Sequence, residues 1–259
     1  MKPCRRLATA LVLALLPACQ TISKLNVFSE QEEATLGLQA YAEETGKYRV
    51  VTGTADAQMV ERVGRKIAAS TGKDYQWEFK LLDAPKVVNA FCLPGGKVAV
   101  YSGLLPVTQN EQALAVVLGH EVAHATQRHG GKRMTQGMLT EGLITAITAG
   151  LSLSKMDDNN KALVLGALGT GANVAVTLPF SREHETEADE VGIRYAIRSG
   201  YDPMEAPKLW QRMAALGSAG PEFLSTHPDP LHRAANLEQR IPQIVAEEQA
   251  SAAQAGQKH

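Results

Sequence analysis

His120-Glu121-Val122-Ala123-His124 combines residue types and a spacing that already describe a reaction. On a helix, residues four apart lie one above the other, so both imidazoles can face one metal ion while Glu121 reaches a water bound to it. Composition alone generates this pattern about 0.02 times in a chain of this makeup, which leaves chance a poor account of it. A catalytic zinc needs a third protein ligand and one open position. The extended metzincin pattern would put glycine at 127 and histidine at 130, but Gln127 and Gly130 stand there, which excludes that class. Among the glutamates after His124, Glu185 is followed four residues later by an aspartate, Asp189. On one helix the two share a face, so Glu185 can ligate the metal while Asp189 accepts the second N–H of a ligand histidine and fixes its tautomer. His184 and Glu187 are rivals for the ligand position. A solvated acidic helix start, with Glu183, Glu187 and Glu190, is the ordinary alternative for this stretch.

The elements that must position these groups are mostly helices. Helical spacing predicts a short amphipathic helix before Gly46 and another over residues 57–70, where Met59, Val60, Val63 and Ile67 recur. The period then shortens. Residues 76–82, 87–93 and 97–101 read as three strands, with Pro94-Gly95-Gly96 as the turn between the last two. A helix over 110–128 carries the central motif; Thr108 with Glu111 fits a capping box and Gly130-Gly131 fits its end. Two small-residue apolar stretches follow, 138–154 and 163–178. Both are shorter than a membrane span and interrupted by Glu141 or Asn173, so they read as buried or lid helices, with a hairpin dipping into a membrane as the alternative. Further helices are expected over 182–199, from Asp202-Pro203 to about 216, and from about 230 to 246 after a loop at 217–230. The tail 247–259 reads as disordered. His129, His232 and His259 are given no role, and Trp77, Trp210 and Tyr201 are read as packing residues.

With 259 residues, 44% hydrophobic and 20% charged, the chain has the makeup of one globular catalytic domain. Lys+Arg of 26 against Asp+Glu of 27, and no basic stripe with interleaved aromatics, argue against a nucleic-acid partner. Residues 1–18 read as an export signal: Lys2, Arg5 and Arg6 precede an apolar stretch over 7–16 that is too short to span a bilayer. Leu16-Pro17-Ala18-Cys19 resembles a bacterial lipobox, which predicts lipidation of Cys19 and anchoring to a membrane from the periplasmic side. Gln20, rather than an aspartate, points to the outer membrane. Residues 19–46 then form a tether and first helix, and 47–246 the catalytic domain. Cys92 would be left without a disulfide partner and reads as a small buried residue on a strand.

Several stretches together resemble one peptidase family: His120 to His124, Ser181-Arg182-Glu183-His184-Glu185-Thr186-Glu187-Ala188-Asp189, Ser225-Thr226-His227-Pro228, Asn89-Ala90-Phe91-Cys92-Leu93-Pro94-Gly95-Gly96, and Tyr101-Ser102-Gly103-Leu104-Leu105. The family is that of the CAAX prenyl proteases, the Oma-type mitochondrial proteases and the bacterial periplasmic lipoprotein metallopeptidases, and the chain looks closest to the last branch. The resemblance covers residues 50–245. It implies an α+β, predominantly helical minigluzincin (zincin) core, with a small three-stranded sheet whose edge strand lines the cleft, and one Zn2+ per chain. It also implies Glu121 as general base, His120, His124 and Glu185 as ligands, and Asp189 behind a ligand histidine. His227 would stand beside the metal, stabilising the oxyanion or closing the open zinc position in a latent state. On its own residues, His227 between Thr226 and Pro228 would pass for a surface loop histidine. Asn89, Ala90 and Phe91 would offer backbone hydrogen bonds to an extended substrate. The implied function is endoproteolysis of unfolded or misfolded envelope proteins, with outer-membrane assembly or quality-control proteins as partners. The competing reading is a zinc-stabilised chaperone that holds clients without cutting them; the presence of Glu121 favours the enzyme.

Overall fold

Residues 24–153, 157, 159, 180–217 and 222–256 are described by the computed structural model. The chain divides into two units, residues 1–28 with 130–178 and residues 29–129 with 179–259. Cys19, the export signal and the apolar stretch 163–178 lie outside the described residues.

In the second unit, α1 (Glu30–Thr45) starts on a capping box: the Ser29 hydroxyl accepts from the Glu32 amide, and the Glu32 carboxylate accepts from the Ser29 amide. A two-residue strand β1 (Val50–Val51) and helix α2 (Ala55–Ala69) follow; the Thr54 hydroxyl caps α2, and Val60, Val63 and Ile67 form its buried face. Strands β2 (Glu78–Leu82), β3 (Ala90–Leu93) and β4 (Lys97–Tyr101) complete a four-stranded sheet in the order β1-β2-β4-β3. The sequence predicted three strands. The fourth, β1, is too short to carry a periodic signal and is held by antiparallel pairing of Val50 with Leu82 and Val51 with Leu81. β3 and β4 form an antiparallel hairpin across Gly95 and Gly96, whose φ of 84° and 86° suit residues without a Cβ, and β4 returns parallel to β2. Alternation sorts the sheet: Val98 and Val100 face the main core, while Ala99 and Tyr101 face Tyr41 of α1. β3 is an edge strand and packs against the motif helix.

That helix, α4 (Glu111–Thr126), comes after a 3-10 turn (Ser102–Leu104) and the short α3 (Leu105–Thr108). Every residue from Ala113 to Thr126 is buried, so α4 is the central rod of the unit, covered on all sides. The expected capping box at Thr108 does not form. Thr108 closes α3 by donating to Leu105 O, Gln109 takes φ 65°, and the Asn110 side chain caps α4 through the Ala113 amide. Gly130-Gly131 is likewise not a helix end. Arg128, at φ 60°, turns the chain, and α5 (His129–Leu153) begins at once. In the first unit, α5 exposes Met134, Met138 and Leu139, and the Val27 amide donates to Thr135 Oγ1. Among the described residues, no helix is long and apolar enough to cross a membrane.

Helix α6 (Arg182–Arg198) crosses α4, followed by α7 (Glu205–Ala214), the short α8 (Glu222–Thr226) and α9 (Pro230–Gly256). α8 falls within the loop expected over 217–230; five residues are too few to show a period. α9 runs ten residues into the tail expected to be disordered. Arg194, Arg198 and Arg240 pair with Glu247 and Glu248 and extend the helix along α6, an interaction between distant segments that local composition does not reveal.

Candidate metal centre

α4 and α6 meet at two glycines. A Cβ on Gly192 would lie 2.7 Å from Gly119 C and from the His120 amide nitrogen, so only the bare backbone permits this approach. The crossing sets the first turn of α6 beside the motif. Ser181 caps α6 through the His184 amide, and the acidic residues of its first turn sit where the helix dipole favours anions.

Four donor atoms converge there: His120 Nε2, His124 Nε2, a Glu185 carboxylate oxygen and His227 Nδ1, all buried. His120 Nε2 lies 3.1 Å from His124 Nε2, 3.1 Å from His227 Nδ1 and 3.4 Å from Glu185 Oε2. Glu185 Oε1 lies 3.3 Å from His124 Nε2 and 3.0 Å from His227 Nδ1. A tetrahedron with bonds of about 2.0–2.1 Å to zinc has edges of about 3.3 Å, close to the four separations that share one set of donors, with Glu185 Oε1 as the carboxylate atom. One hydrogen bond can satisfy only one pair of these ring nitrogens, whereas a cation satisfies them together. Two buried carboxylate oxygens, Glu121 Oε1 and Glu185 Oε2, also lack a well-directed hydrogen bond among the described residues. Glu185 Oε2 is 2.8 Å from Arg233 Nη1, but the contact is poorly aligned and serves as charge proximity rather than a hydrogen bond. The residues present therefore fit a divalent metal.

Electrostatics agree. Burial works against ionising Glu185, yet hydrogen bonds from His120, His124 and His227 hold it well below the usual carboxylate range. Burial pushes His124 well below its ordinary value, keeping the ring neutral as ligation requires. For His120, burial and the Arg233 charge oppose protonation, but Asp189 and Glu185 outweigh them and raise it to about 9. The surrounding carboxylates thus favour positive charge at this point. Burial raises the Glu121 carboxyl against the pull of His227 and His120.

Of the sequence-predicted residues, the structure brings His120, Glu121, His124, Glu185, Asp189 and His227 into one cluster. Asp189 Oδ1 is 3.0 Å from His120 Nδ1, on the far side of the ring from the donor cluster. His227 follows α8, its amide donating to Phe223 O and its ring lying between Phe223 and Phe180. Its Nε2 stands 3.4 Å from Glu121 Oε1. Asn89, Ala90 and Phe91 do lie at the edge strand, but the Asn89 side chain accepts from the Ala90 amide and occupies that N–H. The Phe91 ring packs toward Tyr41 and Tyr101 on the other face of the sheet. The rivals His184 and Glu187 point away from the cluster, to His129. Cys92 is buried on β3, and burial raises its thiol well above the ordinary value.

Sequence reasoning missed Arg233. Its guanidinium donates to Asp189, approaches both nitrogens of His120 and lies 3.5 Å over the Trp210 ring. Trp210 therefore carries a buried cation as well as packing. Position 233 follows His227 by six residues in a stretch with no local sign of burial; only α9 laying that turn against α6 makes it part of the site.

A buried helix with two histidines one turn apart, answered by a glutamate from a crossing helix, defines a metallopeptidase domain of the zincin class. The match to the model of peptidase family M48 spans residues 54–241, and the chain belongs to that family. It is 36% identical over 197 residues to the mitochondrial metalloendopeptidase OMA1 of Schizosaccharomyces pombe, covering 74% of this chain and 55% of that protein. To the beta-barrel assembly-enhancing protease of Yersinia pestis it is 33% identical over 193 residues, covering 72% of this chain and 39% of that protein. The matching protein of the same name from Escherichia coli K12 is 33% identical over 163 residues, covering 61% of this chain and 33% of that protein. The chain thus spans from about a third to just over half the length of these curated relatives.

Proposed function

We propose that this protein is a zinc-dependent endopeptidase that hydrolyses unfolded or misfolded proteins of the cell envelope, with His120, His124 and Glu185 holding the metal and Glu121 as general base. The observation that carries the reading is the convergence of four ligand atoms beside the underbonded carboxylate of Glu121. His120, His124 and Glu185 would hold a zinc ion, which would supply Lewis-acid activation of water and of the scissile carbonyl. Glu121, its carboxyl raised by burial, takes the proton of the attacking water and returns it to the leaving nitrogen. Asp189 fixes the His120 tautomer, and Arg233 holds Asp189 and Glu185. An extended substrate would pair along the β3 edge, where main-chain bonding tolerates varied sequence provided the client is unfolded. The family and the names of the relatives support proteolysis over a purely holding role. The leader and Cys19 support a lipid-anchored periplasmic location at the outer membrane, while the relatives' names span mitochondria and β-barrel assembly.

Casein cleavage by the zinc-loaded protein tests this. A chelator abolishes it, and Glu121→Gln lowers it by about 10²–10⁴-fold while zinc content is retained. A Glu121→Gln protein that cleaves at the wild-type rate would overturn the assignment. Suppression of client aggregation without cleavage by the wild type would favour the chaperone.

A second reading concerns His227. Its Nδ1 stands at the fourth corner, 3.1 Å from His120 Nε2 and 3.0 Å from Glu185 Oε1, which supports a latent state in which this side chain excludes water and substrate from the metal.

A further inference from the structure

His120 and His124 present the same ring nitrogen to the donor cluster, yet they are held from behind in different ways. Behind His120 stands a carboxylate, Asp189. Behind His124 stands another imidazole: His124 Nδ1 is 3.0 Å from His129 Nδ1, and His129 Nε2 is 2.9 Å from Glu187 Oε2. His129 is fully buried, and its ring stacks on His184 at 4.4 Å between centroids and 17° between planes. The placement is built into the backbone. Arg128, tied to Glu33, takes a left-handed φ of 60° and folds the first residue of α5 back against the last turns of α4. His184 and Glu187, three apart on α6, grip the ring from plane and edge.

Proton positions follow from the chemistry. A neutral His124 that turns the Nε2 lone pair to a metal carries its proton on Nδ1 and donates it backward. His129 Nδ1 must then accept, so its own proton sits on Nε2, where Glu187 accepts it. We infer that His129 and Glu187 form a positioning relay for the metal ligand His124, fixing its tautomer and ring plane and raising its basicity toward the metal. The relay rests on the metallopeptidase reading above. It gives roles to the two residues that the sequence left as a bystander histidine and a rival ligand, and it runs from the buried metal centre to Glu187, whose side chain is 45% exposed.

The test is zinc affinity, measured by competition with a chromophoric chelator on the full chain. His129→Leu removes the acceptor and weakens zinc binding by about 10–100-fold, as loss of a partner behind a ligand does. His129→Asn, whose amide oxygen can stand near the position of Nδ1, restores most of the affinity. Glu187→Ala, at the surface, weakens binding by a smaller factor without disturbing the core, so it decides the matter even if His129→Leu misfolds. Loss in Leu and Ala with rescue in Asn supports the relay. Affinity unchanged in Glu187→Ala, or equal loss in Asn and Leu, overturns it. A wild-type chain that binds no zinc would instead sink the metallopeptidase reading itself.

Discussion

Arg233 stands beside the four-atom cluster, whereas His227 supplies one of its atoms. Arg233 is a buried cation among three buried carboxylates, those of Glu121, Glu185 and Asp189, with its planar face on Trp210. A lysine's point charge could not reproduce the fork that donates to Asp189 through two nitrogens while the charge lies beside Glu185. It stabilises the anionic ligand set, whereas His227 competes for the position that substrate water needs. If the latched arrangement predominates, removing the latch releases activity in proportion to the fraction of molecules it held back. His227→Ala is therefore expected to raise casein cleavage by roughly tenfold, equivalent to about 1.4 kcal/mol in favour of the latched state. A fall in kcat at unchanged zinc content would assign His227 to the reaction itself, through the oxyanion.

Among the elements, the crossing of α4 and α6 governs the ligand distances. At Gly119 and Gly192 two backbones touch directly, one residue before His120 and three after Asp189. A methyl group at 192 would meet backbone atoms of α4 at 2.7 Å, and backbone yields only by separating the helices. Gly192→Ala is expected to cost about 1–3 kcal/mol in denaturant unfolding. It should also weaken zinc binding, because Glu185 and Asp189 ride on the displaced helix. A variant with wild-type zinc affinity would show that the crossing can shift without moving the site. Elsewhere, caps and ends chosen by local rules gave way to other partners, one adjacent and one distant in the chain. Asn110 sits one residue before α4 and makes its cap in place of Thr108, and α9 outruns its composition because arginines of α6 pair with its final turns.

On the scale of the whole chain, the family match covers residues 54–241, while the proposed location rests on the export signal and lipobox expected from residues 1–19. Two or more acyl chains at Cys19 would anchor it without a transmembrane helix, one chain alone giving only marginal, reversible binding. Cys19→Ser is expected to abolish labelled palmitate incorporation and move the protein from the membrane to the soluble fraction of spheroplast lysates. Membrane retention at the wild-type level would point to another attachment.

The amino-acid sequence alone determined the parts of this protein that depend on short spacings: two histidines and a glutamate on one helix, a glutamate and an aspartate four apart on another, and the alternating strands. A helical or extended period is a local property, so it survives without knowledge of what lies across the core. The resemblance of residues 225–228 also implied His227 beside the metal, whereas only the tertiary structure decided that Arg233 joins the carboxylates, that His129 stands behind His124 and that Val50 and Val51 make a strand. The outcomes at Arg233 and at Val50-Val51 are contacts between segments far apart in the chain, and the one at His129 is a five-residue fold-back through the left-handed turn at Arg128; none leaves a periodic trace in the residues that make it.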